Sequence, residues 1–178
     1  GYARYSTVAQ SDSIAFVERL NASDYLRENL GLSSGLISQN SISDSNADVP
    51  DGSNPDHWQL LHAIKGTFGN TSAVTPLLYY NKPSLNTSNE MVYNGTLPYE
   101  DEFILYHDGP SKELRVRTLA NPDVTGNRAT TSCPPAVATS SCPKDKVLIS
   151  DIVSVALRYF SRSGNDITFN SIDEFGNI

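Results

Sequence analysis

The spacing of apolar positions changes once along this chain. Between Ser6 and Leu30 they recur at steps of three and four. Ala9, Ser13, Phe16, Val17 and Leu20 are extended by Ala22, Tyr25 and Leu26, while Asp12, Glu18, Arg19 and Glu28 point elsewhere. The pattern predicts an amphipathic helix over 6–30, with Phe16, Val17 and Leu20 as its contacts to a sheet. Gly31 suits a left-handed C-cap, and Leu32 can fold back on the last turn. Nothing in 1–5 caps the start, so the helix reads as an element cut from a longer one that continued upstream of Gly1.

Beyond residue 70 the stronger patterns alternate. Val74 to Tyr80 reads as a strand, and Pro76 places its start at an edge, because proline cannot donate to a ladder. Asn94-Gly95 is a hairpin turn signal between short flanks over 91–97. Phe103 to His107 and Glu113 to Leu119 alternate around Asp108-Gly109-Pro110-Ser111, which predicts a hairpin with Leu114 and Val116 inward and Glu113, Arg115 and Arg117 outward. Val147 to Phe160 fits both periods. Its β-branched content, and the Gly164-Asn165 turn into Ile167-Thr168-Phe169, favour strands.

Between the two regimes lies a polar loop region over 31–72. A short helix is predicted near 57–65, with Asp56 as N-cap, Gln59 completing a capping box, and Trp58, Leu61 and Ile64 on one side. Asp44, Asn46 and Asp48 match the first ligand positions of a calcium loop, and Asp51 adds a further carboxylate. Val49 stands where that loop needs glycine, and Pro55 where it needs an acid. A solvated, turn-rich loop is the simpler reading, since Asp and Asn are turn residues in their own right. Calcium is the one cofactor the pattern offers.

Composition narrows the function classes. At 178 residues, with 38% hydrophobic and 19% charged positions, the chain suits one soluble domain with a sizeable core. A net charge of −7 without a basic cluster argues against nucleic acid and anionic lipid surfaces. No apolar run reaches the roughly 20 residues that span a bilayer. Asn-X-Ser/Thr triplets begin at Asn21, Asn70, Asn86 and Asn94, which bear glycans only in a eukaryotic source.

Cys133 and Cys142 sit in a Pro/Ser/Thr-rich loop over 131–144, where pairing would staple a small ring worth roughly 2 to 3 kcal/mol. Two free thiols in a reducing compartment are the other reading. A disulfide is favoured, and with it an extracytoplasmic location.

Signals for catalysis are weak. Gly31-Leu32-Ser33-Ser34-Gly35 has the letters of a nucleophile elbow but follows a helix rather than a strand. His57 and His62 do not share a helical face, and His107 precedes a turn. Glu100, Asp101 and Glu102 read as a solvated acidic run at a strand start. No enzyme activity is expected.

One family resemblance emerges from these elements. The helix-then-sheet order, Asp101-Glu102-Phe103-Ile104-Leu105-Tyr106 with Leu114-Arg115-Val116-Arg117, and the stretch Lys146 to Phe160 resemble the soluble part of a type IV minor pilin or a type II secretion pseudopilin. They cover about a third of the chain. The family's processed leader, apolar helical segment and early glutamate are not in this sequence.

The resemblance implies an α+β, pilin-like fold over 1–178, with a long N-terminal helix packed on an antiparallel sheet and a long loop region between. It implies a non-enzymatic subunit whose partners are other pilin or pseudopilin subunits, and which meets the membrane only through an upstream segment. The alternative is an extracellular binding module for a glycan or protein, using the Asp-rich loop and Tyr79, Tyr80 and Tyr99.

Overall fold

The computed structural model describes residues 2–60, 72–155, 158–163 and 166–171, with side chains over 17–60 and 72–155. In chain order the elements are α1 (Tyr2–Gly31), β1 (Gly35–Ile37), β2 (Val74–Pro83), β3 (Tyr93–Asn94), β4 (Leu97–Pro98), β5 (Glu100–Asp108), β6 (Glu113–Leu119), β7 (Lys146–Ile149), β8 (Arg158–Ser163) and β9 (Asp166–Ser171).

Five strands form one antiparallel sheet in the order β1-β2-β5-β6-β7. Its centre is the β5–β6 hairpin expected from the alternation, paired from Glu102↔Leu119 to Asp108↔Glu113. Pro76 lies in β2 where β1 does not reach, since β1 pairs only with Tyr79, Tyr80 and Asn81. The missing N–H is therefore accommodated there, beside a bulge between Pro76 and Leu78. β3 and β4 form a small hairpin in which Asn94 pairs with Leu97 and Gly95 takes φ +64°, a conformation open to glycine. β8 and β9 pair with each other in a separate two-stranded sheet, and the expected turn at 164–165 lies outside the described residues.

Both faces of the sheet are covered, so alternation along its strands sorts side chains between two buried layers. On one face Tyr80, Phe103, Leu105, Leu114 and Val116 pack with Ala22, Tyr25, Leu26 and Leu30 of α1. On the other, Tyr79, Ile104, Tyr106 and Leu119 pack with Trp58 and with Ile42, Ala47 and Val49 of the loop 38–60. Complete burial of a side chain such as Ile104 or Leu119 contributes roughly 1.5 to 3 kcal/mol.

Three expectations are corrected here. The first is the α+β fold of a long helix packed along a sheet. The protein is mostly antiparallel β, and among the described side chains α1 docks through its C-terminal turns. Val17 is 52% exposed and Leu20 50%, and the Phe16 side chain lies outside the described residues. The reason is helical geometry. At about 100° per residue, Glu18, Ala22, Tyr25, Leu26 and Asn29 share one face, whereas Leu20 points away from it. Two polar contacts mark that face: Ser150 N donates to Glu18 Oε2, and Lys82 Nζ donates to Asn29 Oδ1.

Second, Arg115 and Arg117 are buried, because the loop 38–60 covers the face expected to meet solvent. Third, Trp58 is in no helix. It bridges Pro50, and residues 61–71, with Leu61, His62 and Ile64, lie outside the described residues. The run over 147–160, expected to form strands, carries β7 and β8; residues 150–155 belong to no strand, and 156–157 lie outside the described residues.

Candidate functional site

The densest polar cluster forms where the Asp-rich loop crosses β6. Arg117 Nε and Nη2 donate to Asp145 Oδ1 and Oδ2 at 2.7 and 2.8 Å, Nη1 to Asp44 Oδ2 at 2.7 Å and Asn46 O at 3.0 Å, and Nη2 also to Asp48 Oδ2 at 2.7 Å. All five guanidinium N–H donors are thereby used in a side chain with 0% exposure. The Trp58 ring lies 5.4 Å from the guanidinium carbon, and its Nε1 donates to Asp44 Oδ2 at 2.7 Å. A planar fork of this kind can satisfy several acceptors at once in a way that lysine cannot.

Asp145, just before β7, accepts from four donors. Besides Arg117 these are Tyr106 Oη at 2.5 Å and Ser132 Oγ at 2.6 Å. Three carboxylates face one guanidinium, so the cluster is acidic as a whole. Burial by itself disfavours the Arg117 charge, but the hydrogen bonds and charge of Asp145, then of Asp44 and Asp48, outweigh it and push its pKa up. Asp48 goes the other way for a carboxylate: burial raises its pKa, Arg117 lowers it, and the charges of Asp145 and Asp44 raise it again. Its side chain is 22% exposed, which puts it at the rim. Burial, with Asp145 adding to it, raises the pKa of Tyr106, which remains a donor.

The four residues expected to offer calcium ligands are not assembled as a metal site. Asp44 and Asp48 face Arg117, Asn46 contributes its carbonyl to the same group, and Asp51 binds Gln39 and Ser53. Among the described residues no group of three or more metal-binding side chains is placed to hold an ion. A guanidinium at the focus of these carboxylates already supplies the positive charge a cation would bring. Asp51 is held below the usual carboxylate range by hydrogen bonds from the Ser53 N–H, the Gln39 amide and the Ser53 hydroxyl.

The expected solvated acidic run is instead a set of fasteners. Glu102 is buried and accepts from Ser41 N, Ser41 Oγ and Ile42 N, which pins the loop 38–60 to β5. Asp101, also buried, accepts from Ser84 Oγ, Asn121 N and Asn127 Nδ2. Glu100 accepts from Asn81 Nδ2. Arg115 pairs with Asp108 at 3.0 Å and with Glu113. Sequence reasoning passed over Asp145 and placed Arg117 outward, Trp58 in a short helix and Glu102 in a solvated run, none of them in a buried cluster. A run of four aspartates opposite a strand bearing two arginines was the available signal.

Cys133 and Cys142 form the expected disulfide, with Cα atoms 5.6 Å apart. It is consistent with an oxidising compartment. His107 is buried, and its Nε2 meets Ile152 O at 2.9 Å. Ser33 and Ser34 join α1 to β1, the reverse of the strand-to-helix order an elbow needs. Tyr79 and Tyr80 are buried, while Tyr99 lines an open cavity of about 320 Å³ with Ile42, Asn94, Leu97, Pro98 and Glu100. Among the described residues no helix is long and apolar enough to cross a membrane. No known protein family, characterised protein or solved structure matches this chain.

Proposed function

We propose that this chain is a non-catalytic subunit of an extracytoplasmic filament, of the minor pilin or pseudopilin kind, acting through contacts with sibling subunits. The observation that carries this reading is the division of α1 between two apolar faces. One, through Ala22, Tyr25, Leu26 and Leu30, packs on the protein's own sheet. The stripe Ala9, Ser13, Phe16, Val17 and Leu20 lies on another side by helical spacing, and its described members Val17 and Leu20 are half exposed. Half-exposed apolar side chains such as Val17 and Leu20 are suited to covering by another chain. The disulfide and a net charge of −7 without a basic run in the sequence agree with assembly outside the cytoplasm.

The test joins the coding sequence upstream of Gly1 to the self-association of the protein. The expected result is an apolar stretch of about 20 residues behind a short basic leader, with self-association that Leu20→Asp abolishes. A cleavable secretion signal alone, together with a monomer indifferent to Leu20→Asp, would overturn the reading. That outcome would favour a binding module, for which the cavity beside Tyr99 is the place to test glycans.

A further inference from the structure

We infer that the Cys133–Cys142 disulfide is a redox-sensitive latch on the loop 38–60, acting through Asp145. Above its base, the ring it closes is short of other anchors among the described residues. Within 134–142 the hydrogen bonds among the described residues run inside the ring, from Val137 N to Pro134 O, Thr139 N to Cys142 O and Cys142 N to Thr139 Oγ1.

At the base of the ring the two chain segments are clamped side by side. Cys133 N donates to Pro143 O at 2.8 Å, Asp145 N donates to Cys133 O at 2.9 Å, and Cys133 and Lys144 form a parallel bridge. This alignment puts Ser132 Oγ on Asp145 Oδ1 and aims Asp145 at Arg117 and Tyr106. Arg117 in turn holds Asp44, Asn46 and Asp48, the crest of the loop over Trp58. One more contact is direct: Asn46 Nδ2 lies 3.7 Å from Cys133 Sγ. The latch thus reaches a loop 87 residues earlier in the chain.

A dithiol such as dithiothreitol supplies the balance. Its thiolate attacks one sulfur to give a mixed disulfide, and its second thiol closes the cyclic disulfide. Cys133 and Cys142 take up two electrons and two protons and leave as thiols. With the ring open, the segment carrying Asp145 is no longer bound to Ser132–Cys133 by a covalent tie. The Asp145–Arg117 pairing is weakened, and the crest of the loop over 44–48 lifts from Trp58, Tyr79 and Tyr106. The α1 face of the sheet shares none of these contacts and stays packed.

Trp58 is the only tryptophan in the chain, so its emission reports the loop alone. Dithiothreitol is titrated into the folded protein without denaturant, with thiol labelling to verify reduction and far-UV circular dichroism to follow the sheet. The expected result is a shift of Trp58 emission by more than half the span to the urea-unfolded chain. A rise in binding of an apolar dye accompanies it, and the far-UV signal is retained. The Cys133→Ala/Cys142→Ala variant reproduces that state without reductant. Unchanged Trp58 emission in fully reduced protein would overturn the latch. Simultaneous collapse of the Trp58 and far-UV signals would also overturn it, since the disulfide would then hold the whole fold.

Discussion

Three aspartates face Arg117, and they are not equivalent. Asp145 is fully buried and accepts both arms of the guanidinium, so Asp145→Asn leaves Arg117 without its main counter-charge. Breaking a buried pair in this way typically costs about 3 to 5 kcal/mol. Asp48 is at the rim, and its ionisation is opposed by burial and by two neighbouring carboxylates. Asp48→Asn therefore changes stability at neutral pH by no more than about 0.5 kcal/mol. The sign of the pH dependence follows from the raised folded pKa. In the window above the reference value of 3.8, native Asp48 keeps a proton that the unfolded chain releases. Its contribution is present below that window and lost as pH rises through it. Urea titrations at the acid end of the window and at neutrality are expected to show Asp48→Asn gaining on the parent as pH rises. A gain towards acid would mean that Arg117 dominates this carboxylate. The alternation of β6 was legible, with Leu114 and Val116 on a buried face. The fate of Arg115 and Arg117 was not, because local spacing says which residues share a face and not what covers the other one.

Helix α1 shows how a correct element can carry a wrong contact face. Steps of three and four from Ala9 lead to Leu20, but the docked face starts from Glu18 and runs through Ala22, Tyr25, Leu26 and Asn29. Glu18 and Asn29 are polar, and their partners on β2 and at Ser150 are remote in sequence, so hydrophobic spacing passed over them. The two faces separate cleanly by mutation. In the isolated domain Leu26→Ala is expected to cost about 1 to 2 kcal/mol and Leu20→Ala no more than about 0.5 kcal/mol, both read from urea denaturation. The reverse order would mean that the helix docks through the Leu20 stripe. The β5–β6 hairpin behaved differently: its alternation, turn residues and strand lengths are local signals that agree with one another, and the structure follows them.

For the molecule as a whole, under the proposed filament reading the charge of −7 bears on how copies would meet. Association through an apolar stripe has to overcome repulsion between like-charged subunits, and that repulsion is screened by salt. Raising ionic strength from about 0.01 to 0.1 M shortens the screening length from about 30 to 10 Å. Self-association of the protein, measured by sedimentation equilibrium, is therefore expected to tighten over that range; weakening would point to an interface of opposite charges. The sequence alone was enough for what depends on neighbours in the chain: the helix over 6–30, the central hairpin, and a pair of cysteines close enough to close a small ring. Cover of the second sheet face was settled by folding in three dimensions. The loop 38–60 looked solvated because its aspartates are polar, and only the approach of Arg117 on β6 and Asp145 before β7 made burial of those carboxylates affordable. Charges separated by 69 and 28 residues leave no periodic trace, since their pairing is fixed by strand register and chain path.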